Sequence, residues 1–174
     1  MNFKPYWNNR DVIAFDVSTW STGWAMWFRN NLTSGYFQPP PSMELLWERT
    51  RYLNREVRDL LYYHHGSDFH VFLEQTIPKG FQMVAMLSEA RSAVVTAIPS
   101  IVTLANVSPS TWKSHFKCVR GKSAEEKAAA HKAMCELWNR DFPITTRGKE
   151  RTYDETDAVA VLTYGLQALD YEEE

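Results

Sequence analysis

The chain has 174 residues, 44% of them hydrophobic and 14% aromatic, with a formal net charge of −2. This length fits one domain spanning residues 1–174, and the apolar content excludes an intrinsically disordered chain. No apolar run approaches the roughly 20 residues that cross a bilayer, and the opening residues lack the apolar stretch of a signal peptide. We therefore expect a cytoplasmic protein without membrane contact, in which Cys118 and Cys135 are reduced thiols.

Hydrophobic periodicity predicts strands at residues 12–17, 24–29 and 32–37, before prolines 39–41 end the run. Ser42 is predicted to cap a helix that continues through residue 64, and a buried strand follows at 69–74. A helix at 81–98, a strand at 101–107 and a short helix from Ser108 come next, followed by helices at 123–138, capped by Ser123, and 154–169. This order predicts an α/β fold, with a five-stranded mixed sheet flanked by helices.

Charge is unevenly distributed along the chain. Residues 75–151 carry twelve Lys and Arg against six Asp and Glu, whereas residues 152–174 carry seven acidic residues and no basic one. The middle segment is therefore suited to phosphate groups, and the acidic end predicts a metal site or a solvated tail. On charge alone, an ordinary mixed surface is the simpler interpretation.

Four acidic residues occupy positions that favour a shared site. Asp16 ends the first predicted strand, Glu74 ends the fourth, and Asp154 and Asp157 lie three residues apart in the first turn of the last helix. If the first and fourth strands are neighbours, the four carboxylates converge and need cations to offset their repulsion. Oxygen-only ligation selects Mg²⁺, with Mn²⁺ as a substitute, and two such ions are suited to phosphodiester hydrolysis.

Each of these acids also has a purely structural interpretation. Aspartates at strand ends and in first helical turns commonly cap those elements and interact with the helix dipole. Glu74 is different because it follows an apolar run, where an unpaired buried carboxylate would be costly. The order and spacing of the four residues, rather than any single one, carry the prediction.

Five segments resemble the RuvC family of Holliday-junction resolvases, within the RNase H-like superfamily. The segments are IAFDVSTWSTGWAM, FLEQ, MLSEARSAVVTAI, SPSTWKSHFKCVRGKSAEEKAAAH and DETDAVAVL, which together span most of the chain. Two positions depart from the family pattern, since Ser18 replaces a glycine-containing turn and Ser92 replaces a glycine. The pattern is nearer to that of a divergent member, such as one encoded by a phage, than to that of the cellular bacterial enzymes.

The resemblance implies an RNase H-like fold, cleavage of four-way DNA junctions and a homodimer that nicks opposing strands. It places Asp16, Glu74, Asp154 and Asp157 as catalytic metal ligands, and puts Lys113 and one of Lys122 or Lys127 near the scissile phosphate. A single lysine on a helix is otherwise a solvated residue. The residues expected to contact DNA are Ile77, Lys79, Phe81, Arg91, Lys117, Arg120 and Lys127.

The loop at residues 75–81 offers two candidates, Ile77 and Phe81, for the residue that stacks on DNA. In the family, an aromatic side chain from this loop stacks on an unpaired base, but the aligned residue here is Ile77. Phe81 is the nearest aromatic residue, and its structural interpretation is a buried anchor at the start of a helix.

Two other functional classes are compatible with the sequence. Actin-like ATPases and sugar kinases also place an Asp and small polar residues after the first strand, but seven glycines leave no second phosphate loop. A non-catalytic nucleic-acid-binding domain would explain the basic segment and the aromatic residues. Such a binder gains nothing from four acids that repel phosphate. RNase H or transposase-like activity remains a further option within the nuclease class.

Overall fold

The computed structural model describes residues 10–64, 67–75, 80–118, 123–147 and 150–171. Its main sheet contains the strands β1 (Asp11–Asp16), β2 (Thr22–Phe28), β3 (Asn31–Phe37), β4 (Phe69–Glu74) and β5 (Ile101–Val107), in the order β3-β2-β1-β4-β5. The first three strands are antiparallel, whereas β4 runs parallel to both β1 and β5. The predicted five-stranded mixed sheet is confirmed, with strand ends moved by one or two residues.

Five helices surround this sheet: α1 (Leu46–Leu61), α2 (Phe81–Val95), α3 (Pro109–His115), α4 (Ser123–Trp138) and α5 (Asp154–Tyr171). The predicted start of α3 is confirmed, because the Ser108 side chain accepts a hydrogen bond from the backbone N–H of Ser110. The predicted bounds of α4 are also confirmed. A short hairpin of β6 (Thr145–Arg147) and β7 (Glu150–Thr152) precedes α5 and was not predicted.

The alternation of side chains along the strands divides the core between the two faces of the sheet. Ile13 and Phe15 of β1 pack with buried residues of α1 and α2. Val12 and Ala14 point the other way, towards α4 and α5. Residues 158–162 of α5 have no exposed surface, so this helix is enclosed on all sides and its position is fixed by packing. Within the described part of the chain, none of the helices combines the length and apolar character needed to cross a membrane.

The predicted beginning of α1 at Ser42 is wrong. The helix begins at Leu46, and the backbone N–H of Leu45 donates to the Glu48 carboxylate. Arg49 donates its Nε–H to the carbonyl of Met43 and an Nη2–H to the carbonyl of Glu44, which holds these residues outside the helix. The predicted extension to residue 64 is wrong as well, since residues 62–64 form a separate 3-10 turn.

The predicted end of α2 at residue 98 is also too late, because the helix ends at Val95. The hydroxyl of Thr96 donates to the carbonyl of Ser92, and the side-chain amide of Asn54 donates to the carbonyl of Ala93. The backbone N–H of Thr96 still donates to the carbonyl of Ser92, but that of Ala97 donates to the carbonyl of Val94. The Asn54 amide therefore takes the place of a helical donor at Ala93, and the chain turns towards β5.

Candidate functional site

The sheet topology brings two of the predicted acids side by side. β1 and β4 are parallel neighbours, and the pair Phe15 and Leu73 directly precedes their last residues. Asp16 and Glu74 therefore lie next to each other at the same edge of the sheet. Glu74 is only 9% exposed, as expected for an acid that follows an apolar strand.

Gly23 brings the other two acids to the same edge. It pairs with Asp16 across β1 and β2, and an ideal Cβ at this position would lie 1.7 Å from the carbonyl oxygen of Asp154. Any side chain larger than hydrogen would therefore keep the start of α5 away from β2. The first turn of α5, with Asp154 and Asp157, consequently lies against the strand that neighbours Asp16.

Glu155 fixes the orientation of this turn. Its carboxylate accepts a hydrogen bond of 2.7 Å from the Ser34 hydroxyl on β3 and lies 3.9 Å from the guanidinium of Arg140. The residue is buried, so this carboxylate is committed to holding α5 rather than to the acid cluster. With Glu155 directed towards β3, its neighbours on the helix are directed towards Asp16.

The electrostatics show that the four acids sense one another. Removal from water raises the pKa of Asp16 well above its usual value, and Glu74 and Asp157 raise it further. Burial raises the pKa of Asp157 to about 7, and repulsion by Glu74 adds to the shift, while Lys127 and Lys113 offset it only in part. Asp16 and Asp157 both have raised pKa values and lie at the same edge of the sheet. Nearby positive charge in the protein is therefore too small to balance the ionised carboxylates.

Two of the acids are held by protein donors. The Trp112 indole N–H donates to Glu74 Oε1 across 2.9 Å, and the Ser21 hydroxyl donates to Asp154 Oδ2 across 2.6 Å. Asp157 is 5% exposed, and its buried Oδ1 has no hydrogen-bond partner among the described residues. A buried carboxylate oxygen without a donor is costly, and a cation is one group that satisfies it.

The donor set fits a hard divalent cation in its chemistry, because all four side chains offer oxygen alone. The positions of these side chains fit an ion less well than their chemistry does. Among the described residues, no three His, Cys, Asp or Glu side chains meet in an arrangement that holds a metal ion as it stands. Binding an ion at these acids would therefore require their carboxylates to rotate towards one another.

Two of the predicted lysines lie at the cluster. Lys127 Nζ is 3.8 Å from Asp157 Oδ2. Lys113 Nζ is 3.9 Å from Glu126 Oε2 on α4, and its charge also lowers the pKa of Asp157. Burial alone would lower the pKa of Lys127, but Asp157, Asp16 and the other acids outweigh it and raise the pKa. Of the two lysines left open by the sequence, Lys127 is thus placed at the acids, whereas Lys122 lies outside the described residues.

The other predicted DNA contacts are more dispersed. The side chain of Phe81, the first residue of α2, is 89% exposed, so its interpretation as a buried anchor is wrong. Lys117 is exposed after α3, and Arg91 donates to the side chain of Asn106 on β5. Ile77, Lys79 and Arg120 lie outside the described residues.

Sequence reasoning missed the residues that support the acids, namely Ser21, Gly23, Trp112 and Glu155. A buried tryptophan that donates to a carboxylate 38 residues away carries no local signal. Gly23 did carry a local signal, because a glycine inside a strand marks the close approach of another backbone. Cys118 and Cys135 are free thiols, as predicted.

Comparison with known proteins gives structural neighbours only. No protein-family model and no curated protein sequence matches the chain. Thermus thermophilus RuvC in complex with a Holliday junction substrate superposes with a TM-score of 0.64 at 16% identity, over 93% of this chain and 96% of that one. A second T. thermophilus RuvC structure gives 0.60 at 16% identity, over 92% and 96%. The yeast mitochondrial Holliday junction resolvase Ydc2 gives 0.56 at 9% identity, over 94% and 80%.

These likenesses extend over nearly the whole chain. The chain therefore has the RuvC-type RNase H-like fold. This confirms the fold that the sequence motifs predicted, and it assigns the acids to the edge of an RNase H-like sheet.

Proposed function

We propose that the protein is a Mg²⁺-dependent endonuclease that cuts four-way or otherwise branched DNA. The observation that carries this proposal is the convergence of Asp16, Glu74, Asp154 and Asp157 at one edge of the sheet. The solved neighbours include RuvC bound to a Holliday junction and a mitochondrial Holliday junction resolvase, which supports branched DNA as the substrate class.

The four acids would hold the cations, with Asp157 contributing the buried oxygen that has no donor among the described residues. Two divalent ions bound there would supply activation of the attacking water and stabilisation of the leaving oxygen. The protein's part is to place the carboxylates. Trp112 holds Glu74 and Ser21 holds Asp154 by one hydrogen bond each, which limits how far these two carboxylates would have to move when an ion binds.

Positive charge at the cluster would receive the scissile phosphate. Lys127 and Lys113 both lower the pKa of the Asp157 carboxyl, which supports a path for the backbone of a bound strand past these two lysines. The wider basic segment at residues 75–151 would then track the phosphates on either side. Lys122 and Arg120 belong to this segment by sequence.

Symmetrical cutting of a junction requires two active sites, and we place a homodimer contact on α2 and β5. β5 is an edge strand of the sheet, and Leu104 pairs with Val71, which packs with α1 and α2, so the exposed side chain of Leu104 lies on the face that carries α2. Val102 of the same strand is exposed as well. Met83 and Val84 expose further apolar surface on α2. A two-fold axis at this face would bury the apolar residues of both copies. Leu104→Glu should then halve the mass measured by light scattering.

The experiment that tests the function uses end-labelled substrates in Mg²⁺. A four-way junction, a linear duplex of the same sequence and an RNA–DNA hybrid are incubated with the protein, and the products are mapped on denaturing gels. Paired nicks at symmetrical positions on the junction alone are expected. Cleavage of the hybrid alone would identify an RNase H activity. Cleavage of none of the three substrates would favour a non-catalytic nucleic-acid-binding domain.

A further inference from the structure

The turn between β1 and β2 lies at the edge of the sheet where Asp16 ends β1, and it carries an exposed tryptophan, Trp20. The Ser18 hydroxyl oxygen accepts hydrogen bonds from the backbone N–H groups of Trp20 and Ser21, at 3.2 and 3.0 Å. The hydroxyl of Ser21 in turn donates to the carboxylate of Asp154. Trp20 is therefore held one residue from a side chain that contacts the site, in a turn closed by its own hydrogen bonds.

The guanidinium group of Arg49 stacks on one face of the Trp20 indole ring. The Arg49 guanidinium carbon lies 3.4 Å from the Trp20 ring centroid, which is stacking distance. Arg49 is only 8% exposed and is fixed by its two hydrogen bonds to the carbonyls of Met43 and Glu44. We find no carboxylate at ion-pair distance from Arg49 within the described residues, so its charge remains available to the ring. The ring itself stays 42% exposed.

This combination differs from an ordinary surface tryptophan. A mobile exposed indole would lose conformational entropy on binding, whereas this one is already ordered by the turn and by a buried cation. The cation also makes the location attractive to phosphate. An ordered, exposed aromatic ring in a turn at the same edge of the sheet as carboxylates that would hold metal ions is suited to one class of ligand, a nucleobase of the strand under attack.

We propose that Trp20 stacks on a base of the cut strand immediately beside the scissile phosphate and sets the register of that strand. The proposal rests on the nuclease function proposed above. It is separate from the role of Phe81, which follows β4, because Trp20 lies on the β1–β2 side of the acids. Because every base offers an aromatic face, the contact positions the strand without selecting a sequence.

The test uses junctions that carry 2-aminopurine at single positions on either side of the mapped nick, bound in EDTA so that no cleavage occurs. We expect quenching at one position with the wild-type protein, loss of that quenching in Trp20→Ala and retention in Trp20→Phe. In Mg²⁺, Trp20→Ala should raise the KM for junction about tenfold or spread the nick over neighbouring phosphates.

Trp47 provides the matched control. It is also an exposed tryptophan, but it lies on α1 in a groove whose lining includes none of the four acids. Trp47→Ala should leave quenching and KM unchanged. If Trp20→Ala does not fold, Trp20→Leu keeps an apolar contact on Arg49 while removing the aromatic face, and it should lose the quenching as well.

Wild-type quenching that persists in Trp20→Ala or Trp20→Leu overturns the stacking proposal, although the protein still cuts junctions. A wild-type protein that neither binds nor cuts branched DNA overturns the proposed function, and the stacking proposal with it. The two failures are thus distinguished by the wild-type protein alone.

Discussion

The carbonyl oxygen of Asp154 occupies the space that a side chain at Gly23 would need, with only 1.7 Å between it and an ideal Cβ. Gly23→Ala should therefore push the first turn of α5 away from β2 and separate Asp154 and Asp157 from Asp16. We expect a loss of stability above the 1–3 kcal/mol or so that is typical of overpacking, and a loss of activity of at least about tenfold. Thermal unfolding and junction cleavage measure the two effects.

Gly35→Ala is the control for this substitution. Its Cβ would lie 2.9 Å from the ring of Trp24, a side chain that can move, rather than from backbone. It should cost less stability and leave cleavage near the wild-type rate. Equal losses of activity in the two variants would show that Gly23 has no special relationship to the site.

Protonation of the acid cluster predicts an unusual dependence of stability on pH in metal-free protein. The pKa of Asp157 is raised from 3.8 to about 7, so between these values the folded protein holds a proton that the unfolded chain releases. Folding is thus weakened as pH rises from about 4 to about 7, by a free energy on the order of a few kcal/mol. The raised pKa of Asp16 acts in the same direction.

The comparison that isolates this effect is Asp157→Asn in EDTA. The wild type should lose several degrees of Tm, relative to this variant, between pH 5 and pH 8, and addition of Mg²⁺ at pH 8 should recover the loss. Parallel Tm curves for the two proteins would mean that Asp157 ionises normally in the fold.

Phe81 is exposed at the first residue of α2, so its removal should cost little stability. If it stacks on an unpaired base at the junction, Phe81→Ala should reduce junction cleavage at least about tenfold. The control is Tyr63→Ala, another exposed aromatic residue, which precedes the opposite end of β4. A Phe81→Ala protein that cuts junctions at the wild-type rate would transfer this role to another residue of the loop, such as Ile77.

The salt dependence of DNA binding tests whether the basic segment at residues 75–151 contacts DNA. Lys113→Ala and Lys117→Ala should each weaken junction and duplex binding and reduce the slope of log K against log salt by about one unit for each phosphate that is no longer neutralised. Arg29 lies at the β2–β3 turn, at the opposite end of these strands from Asp16, and Arg29→Ala should leave the slope unchanged. A slope unchanged in both lysine variants would place the DNA on another surface.

The parts of the fold that sequence predicted well are those with strong local periodicity. β4, β5 and α4 were predicted at their observed bounds because apolar runs and helix-forming residues mark them directly. The start of α1 was wrong because the Arg49 side chain, a tertiary contact, removes Met43 and Glu44 from the helix. The β6–β7 hairpin has only three residues in each strand, which is too short for a clear alternating pattern.

The candidate site likewise has parts that the sequence predicts and parts that depend on tertiary packing. The four acids follow from their positions at strand and helix ends. The observed pairing of β1 with β4 puts Asp16 beside Glu74, and the packing of α5 against Gly23 brings the turn with Asp154 and Asp157 to the same edge. Their supports do not follow, because Trp112 reaches Glu74 and Ser34 reaches Glu155 only after the sheet and α5 have packed. Local pattern identifies the reactive groups, whereas tertiary packing determines how they are held.

The most direct test of the account is single-turnover junction cleavage in Mg²⁺ by the Asp16→Asn, Glu74→Gln and Asp157→Asn proteins, with binding measured on the same samples. Each substitution removes a carboxylate ligand and also relieves repulsion with DNA. We expect all three proteins to bind the junction at least as tightly as the wild type and to fail to cut it. Asp154→Asn should be milder, since Asp157 lies on the same face of the first turn of the helix. Substantial cleavage by any of the first three variants would contradict the assignment of these acids as the catalytic centre.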